Sequence, residues 1–229
     1  MIDALAQYAE ETSGCTRCAL AATRTQVVFG VGDPNAELMF VGEAPGFHED
    51  QQGVPFVGQA GKLLETLLGG VGLSRADVYV ANVLKCRPPG NRDPQPDEIE
   101  ACESHLFRQI ELIRPTLVAT LGNFATKLLS GKPAGITRVH GVPQQVVLGG
   151  NAVTLYPLYH PAAALYTRSM LAVLEEDFAR IPELLGRAEG LSGSEPLSPP
   201  PSAAPVEAEP VPLPEPAKVP QRAVQLDLF

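Results

Sequence analysis

The sequence predicts an α/β fold: a central, mostly parallel four-stranded sheet flanked by helices, with a disordered C-terminal tail. Three observations predict it. Short apolar runs of strand length alternate with segments of helical spacing, the pattern of a parallel sheet covered on both faces. Three of those runs end in a polar residue, Glu43, Asn82 or His160, at the place where such sheets bind ligands. Finally, 10 of the 23 prolines fall between Pro196 and Pro220, so the globule ends near Leu185.

Residues 1–11 form a short amphipathic helix through Ile2, Leu5 and Tyr8, which Ser13-Gly14 breaks. ELMFVG (37–42) is a buried strand that leads into a glycine- and proline-rich loop, EAPGFHEDQQGVPFVG. A helix spans 59–70, with Leu63, Leu64, Leu67 and Leu68 on its apolar face. VYVAN (78–82) is the second strand, and KCRPPGNRDPQP, with four prolines, is a loop. Pro96-Asp97-Glu98 opens a long helix to Ile113, with acids in the first turn where the helix dipole favours them. TLVATLG (116–122) is the third strand, and a short helix reaches Leu129. QQVVL (144–148) and AVTLYPLYH (152–160) are further strand candidates, and a last helix covers 169–185. The organisation is a domain over 1–186, a Pro/Ala-rich linker over 187–224 and a returning apolar pattern at 225–229.

Net charge is −9, which excludes a protein that coats nucleic acid through bulk electrostatics but leaves room for a local basic groove. No window approaches the roughly 20 apolar residues of a membrane span, and MIDALAQYAE has no secretory character. A soluble, cytoplasmic protein without a membrane partner is expected. In a reducing compartment its four cysteines read as metal ligands or buried thiols rather than disulfides. Cys15 and Cys18 form a CxxC, with Cys86 and Cys102 following, and no cysteine is left over. That set favours one four-thiolate site of structural role, and spacing alone leaves zinc and an iron–sulfur cluster both open.

GEAPG (42–46), GVPFVGQAG (53–61), NVLKCRPPGNRDPQPDE (82–98) and YHPAAAL (159–165) stand in order behind the CxxC. Over residues 10–185 this resembles the family 4 uracil-DNA glycosylases, the iron–sulfur branch of their superfamily. The resemblance implies a monomeric base-excision-repair hydrolase that flips deoxyuridine from DNA and leaves an abasic site. It also implies one 4Fe–4S cluster on Cys15, Cys18, Cys86 and Cys102. The alternatives are a covalent or non-catalytic uracil-DNA binder and a clamp-associated DNA-binding adaptor. GEAPG and an uninterrupted KCRPPGNRDPQPDE favour the turning-over hydrolase.

Such an enzyme must extrude uracil, read its edge and help it leave as an anion. The Asn82 amide can accept from N3–H and donate to O4, a pattern that cytosine inverts. By resemblance, His160 donates to uracil O2 and Phe56 stacks on the flipped base. Glu43, with Gly42 and Ala44, forms the pocket floor, and Glu43 orients water or stabilises charge on the sugar. Related family 1 enzymes carry Asp at the position of Ala44, which leaves the water-activating role open. Glu49 is placed to exclude the thymine methyl, or belongs with Asp50 to a solvated acidic turn. Leu165 is the expected wedge, and Arg138, His140 and Arg168 the expected phosphate contacts. His105, in mid-helix, reads as solvated.

The last five residues, Gln225, Leu226, Asp227, Leu228 and Phe229, resemble the QL(S/D)LF peptide that docks bacterial repair proteins on the sliding clamp. With the linker it implies a tethered, nucleoid-associated enzyme.

Overall fold

The computed structural model describes residues 2–187; the linker beyond Arg187 and the peptide 225–229 lie outside the described residues. In chain order the elements are α1 (Ile2–Ser13), β1 (Val31–Gly32), β2 (Leu38–Gly42), α2 (Phe47–Gln52), α3 (Gln59–Gly70) and β3 (Tyr79–Asn82). Next come α4 (Pro96–Ile113), β4 (Leu117–Leu121), α5 (Asn123–Ser130), α6 (Ile136–Val139), β5 (Gln144–Leu148) and β6 (Asn151–Leu158). α7 (Pro161–Ala164), α8 (Arg168–Ala179) and α9 (Ile181–Leu184) complete the described chain.

Among the described residues the sheet has six strands rather than the four expected, in the order β1-β3-β2-β4-β6-β5. The middle four are parallel, and both edges are antiparallel additions. Of the two edges, β5 is the strand candidate QQVVL, and β1 alone has no counterpart in the sequence pattern. β1 is two residues long and carries no apolar run; it exists because Gly32, at φ +134°, lets the backbone come so close that a Cβ would meet the Val78 carbonyl at 1.9 Å. β6 returns along β5 through the two-residue turn Gly149-Gly150, both at positive φ (+54° and +76°), the conformation that matches strand twist in a hairpin.

Every residue of β2, β3 and β4 is buried, so these strands read as continuous apolar runs rather than as alternating ones. Alternation reappears in what each side chain meets. Met39, Val41, Tyr79 and Ala81 join Leu106 and Ile110 of α4, whereas Leu38, Phe40 and Val80 join Leu64 and Leu68 of α3 and Phe178 of α8. Phe40 and Phe178 stack at 5.7 Å between centroids. At α4 the Gln95 backbone N–H donates to Glu98 Oε2 at 2.9 Å, and Arg92 holds the same carboxylate with two hydrogen bonds (2.9 and 2.5 Å), fixing the loop that precedes the helix. The single helix expected over 169–185 is two: α8 ends at Arg180, and Pro182 sits in the first turn of α9, where it needs no partner for an N–H. Because β2, β3 and β6 are parallel neighbours of the central sheet, their carboxyl ends open on one side, and the segments that follow them meet there.

Candidate active site

At that edge lies a cavity of about 370 Å³. Its walls bring together Glu43 and Ala44 after β2, Glu49 of α2, Phe56 in the loop before α3, Asn82 at the end of β3, and His160 ahead of α7. Gly42 lies under them. A Cβ there would come within 2.4 Å of Asn82 Oδ1 and 2.7 Å of Phe56 Cζ, so only glycine lets these two side chains close over the strand end. Among the described residues no protein group hydrogen-bonds the buried Asn82 amide, which leaves its oxygen and nitrogen to the cavity.

Phe56 adopts a left-handed backbone, φ +56°, uncommon for a side chain of its size. Three groups hold it there. Glu49 Oε1 accepts from the backbone N–H groups of Val57 and Gly58, both at 3.1 Å. Arg75 donates to the carbonyls of Pro55 (2.6 Å) and Phe56 (2.7 Å). Gly61 of α3 lets the Phe56 carbonyl lie where a Cβ would be 1.7 Å away. Arg75 was not legible in the sequence: it bonds carbonyls 19 and 20 positions away, and a carbonyl has no residue signature. Nor is Glu49 part of a solvated acidic turn with Asp50. Asp50 is buried and accepts from the Thr25 N–H at 2.9 and 3.1 Å through its two oxygens.

His160 caps α7, its Nδ1 accepting from the Ala162 N–H at 3.1 Å. An accepting Nδ1 places the proton of the neutral ring on Nε2. Burial lowers its pKa to about 4, against a smaller opposing pull from Glu49, so the imidazole is neutral at physiological pH. Its ring stacks on Phe56, 5.6 Å between centroids and 26° between planes. Burial raises the pKa of Glu43 above the usual carboxylate range, and Asp93 pushes it the same way. The edge therefore holds a neutral donor, a reluctant acid, an unpartnered amide and an aromatic face.

A sequence profile of the uracil DNA glycosylase superfamily matches residues 29–182. The type-4 uracil-DNA glycosylase of Archaeoglobus fulgidus is 45% identical over 192 residues, 82% of this chain and 96% of its own length. Those of Sulfurisphaera tokodaii and Thermotoga maritima are each 47% identical, over 80% and 70% of this chain and 86% and 82% of their own lengths. The chain belongs to the type-4 uracil-DNA glycosylases.

The four residues expected to contact DNA, Leu165, Arg138, His140 and Arg168, lie off the walls of this glycosylase cavity. Leu165 and Tyr166, between α7 and α8, are 40% and 90% exposed. Arg138 on α6 and Arg168 at the start of α8 are exposed. His140 is half-buried: its Nδ1 meets Asp177 Oδ2 at 2.9 Å, and its ring lies 4.5 Å from that of Tyr159.

Away from the glycosylase cavity, Cys15, Cys18, Cys86 and Cys102 line a second, small cavity together with Arg17, Arg24, Lys85 and His105. Arg24 donates to Cys86 Sγ at 3.5 Å, and the Lys85 backbone N–H donates to Cys102 Sγ at 3.3 Å. Burial pushes the Cys86 thiol up to about 11 and the Cys102 thiol upward as well. Among the described residues no three His, Cys, Asp or Glu side chains are arranged to hold a single metal ion. His105 is not solvated. It is buried, its Nδ1 within 2.6 Å of the Tyr8 hydroxyl and its Nε2 facing Arg17 and, at 3.4 Å, Cys15 Sγ, because its helix turns it inward against α1. No described helix is long and apolar enough to cross a membrane.

Proposed function

We propose that the chain is a monofunctional uracil-DNA glycosylase that flips deoxyuridine from DNA and hydrolyses its N-glycosidic bond. The observation that carries the reading is the meeting of an unpartnered Asn82 amide, a neutral His160 and the Phe56 ring at one cavity. Asn82 accepts from uracil N3–H and donates to O4. Cytosine presents a lone pair and an amino group there, so the same fixed amide rejects it. His160 offers Nε2–H to O2, where negative charge grows as the bond breaks; a donor fixed in advance stabilises the transition state more than the ground state. Phe56 stacks on the base over the floor made by Gly42, Glu43 and Ala44. Glu43, whose raised pKa makes it a better base than an exposed carboxylate, orients the attacking water. Glu49 fixes the stacking loop and stands at the wall that faces the uracil 5-position.

The DNA is held outside the cavity by Leu165, wedged into the gap left by the base, and by Arg138, His140 and Arg168 at phosphates. Cys15, Cys18, Cys86 and Cys102 hold one 4Fe–4S cluster. Four thiols and three cationic side chains lining one cavity without a carboxylate support that fit. When bound, the cluster cross-links the segment after α1 to the loop after β3 and to α4. The enzyme acts as a monomer, and Gln225, Leu226, Asp227, Leu228 and Phe229 tether it to a sliding clamp through the linker 187–224.

The test is multiple-turnover release of uracil from a uracil-containing oligonucleotide, followed by alkaline cleavage of the product, beside Asn82→Ala and His160→Ala. Release beyond one equivalent that collapses in both variants supports the reading. A single equivalent with a denaturant-stable protein–DNA band assigns a covalent trap instead, and no release leaves a binding module.

A further inference from the structure

One of the three cations lining the four-cysteine cavity also bonds a residue of the uracil pocket. Lys85 is 1% exposed and follows Asn82 by three positions. Its ammonium donates to the Asn82 backbone carbonyl at 2.8 Å and to Gln109 Oε1 of α4 at 2.5 Å, while its own N–H donates to Cys102 Sγ. Gln109 is fixed in turn by donating to the Phe29 carbonyl (2.9 Å) and the Tyr79 hydroxyl (3.3 Å). No carboxylate among the described residues pairs with Lys85. A fully buried cation with only neutral partners is strongly unfavourable, and side chains of this kind are retained where a counter-charge stands nearby. Four thiolates outweigh the positive iron–sulfide core they surround, so a loaded cluster beside Cys86 and Cys102 is that counter-charge.

We propose that Lys85 couples the four-cysteine site to the uracil pocket. Its ammonium balances the anionic cluster on one side and fixes the Asn82 peptide on the other, so that the base-reading amide is in register only when the cluster is in place. Lys85 is thus a positioning residue, acting through Asn82. The proposal rests on the uracil and cluster readings above.

The experiment compares purified, cluster-loaded wild type with Lys85→Met, which keeps the length of the side chain and removes its charge. Three quantities are read: the midpoint potential of the cluster, the single-turnover rate of uracil release, and affinity for uracil-containing DNA. Losing a buried positive charge disfavours the more negative reduced cluster, so the potential moves to more negative values. The rate falls by about tenfold or more, as expected for loss of a buried charged hydrogen bond, while DNA affinity stays within about twofold. An unchanged potential, or an unchanged rate, overturns the coupling. Where Lys85→Met does not accumulate with its cluster, Gln109→Met serves. It leaves the cysteines and the charge in place but frees the ammonium from α4, and a rate within about twofold of wild type again overturns the proposal. A wild type that releases no uracil, or holds no iron, defeats the reading on which the proposal rests; active, iron-loaded wild type beside unaffected variants defeats the coupling alone.

Discussion

Replacing Gly42 by Ala adds one carbon where the pocket has no room for it. The new Cβ would stand 2.4 Å from Asn82 Oδ1 and 2.7 Å from Phe56 Cζ, whereas ordinary contact begins at 3.4 Å. Asn82 must therefore retreat by about 1.0 Å (3.4 − 2.4) and Phe56 by about 0.7 Å (3.4 − 2.7), or β2 must shift. Overpacking of this kind costs about 1–3 kcal/mol, a fall in Tm of ~2–10 °C for a domain of this size. Catalysis suffers more than folding, because a misplacement of ~1 Å at a reacting base costs on the order of a hundredfold in rate. Single-turnover uracil release and thermal unfolding, measured on the same preparation, separate the two. Gly69→Ala is the matched control: it lies on the exposed side of α3, has no atom within 4 Å of an added Cβ, and gains helix propensity. It should melt slightly higher and keep its rate. A Gly42→Ala protein that releases uracil within about threefold of wild type would refute the argument that glycine is needed to close Asn82 and Phe56 over the strand end.

Arg75→Met removes both hydrogen bonds to the Pro55 and Phe56 carbonyls, and the uracil-release rate should drop about tenfold through the loosened stacking loop while thermal stability changes little. The pH dependence follows from His160, whose folded pKa of about 4 lies below its ordinary 6.5. The unfolded chain takes up that proton first, so His160 lowers stability as pH falls from 6.5 towards about 4, and denaturant titrations of His160→Asn should lose that part of the slope. Activity should show no acid limb near 6.5, since the ring stays a neutral donor there; a limb at that pH that vanishes in His160→Asn would contradict the assignment. Deleting 225–229 should leave uracil release from short oligonucleotides intact and abolish capture on immobilised sliding clamp; retained capture would remove the tether.

What the sequence made legible was whatever repeats or concentrates. The long apolar runs of β2, β3 and β4, the leucine face of α3 and the proline–acid start of α4 each leave a pattern several residues wide, and they stand where the pattern put them. The edge strand β1 escaped because two residues cannot show a period, and the break at Arg180 because a helix that stops and restarts keeps its apolar spacing. Glu43, Asn82 and His160 could be proposed together since parallel strands bring their carboxyl ends to one side. Arg75, Gly61 and Lys85 could not: each acts on a backbone carbonyl, near in sequence for Gly61 and Lys85 and far for Arg75, and a carbonyl carries no side-chain identity.

The grip on the stacking loop falls on peptide groups. Glu49 and Arg75 hold the N–H and C=O groups of residues 55–58, and Gly61 makes room for another carbonyl, yet none of them bonds the Phe56 ring. The pocket thus separates a fixed frame from an exchangeable surface. A different flat side chain at position 56 answers to its packing on His160 and over Gly42 rather than to the loop, whereas the frame tolerates no change of shape. Redesign toward another damaged base is accordingly a matter of one interchangeable panel, tried position by position on a mould that stays the same.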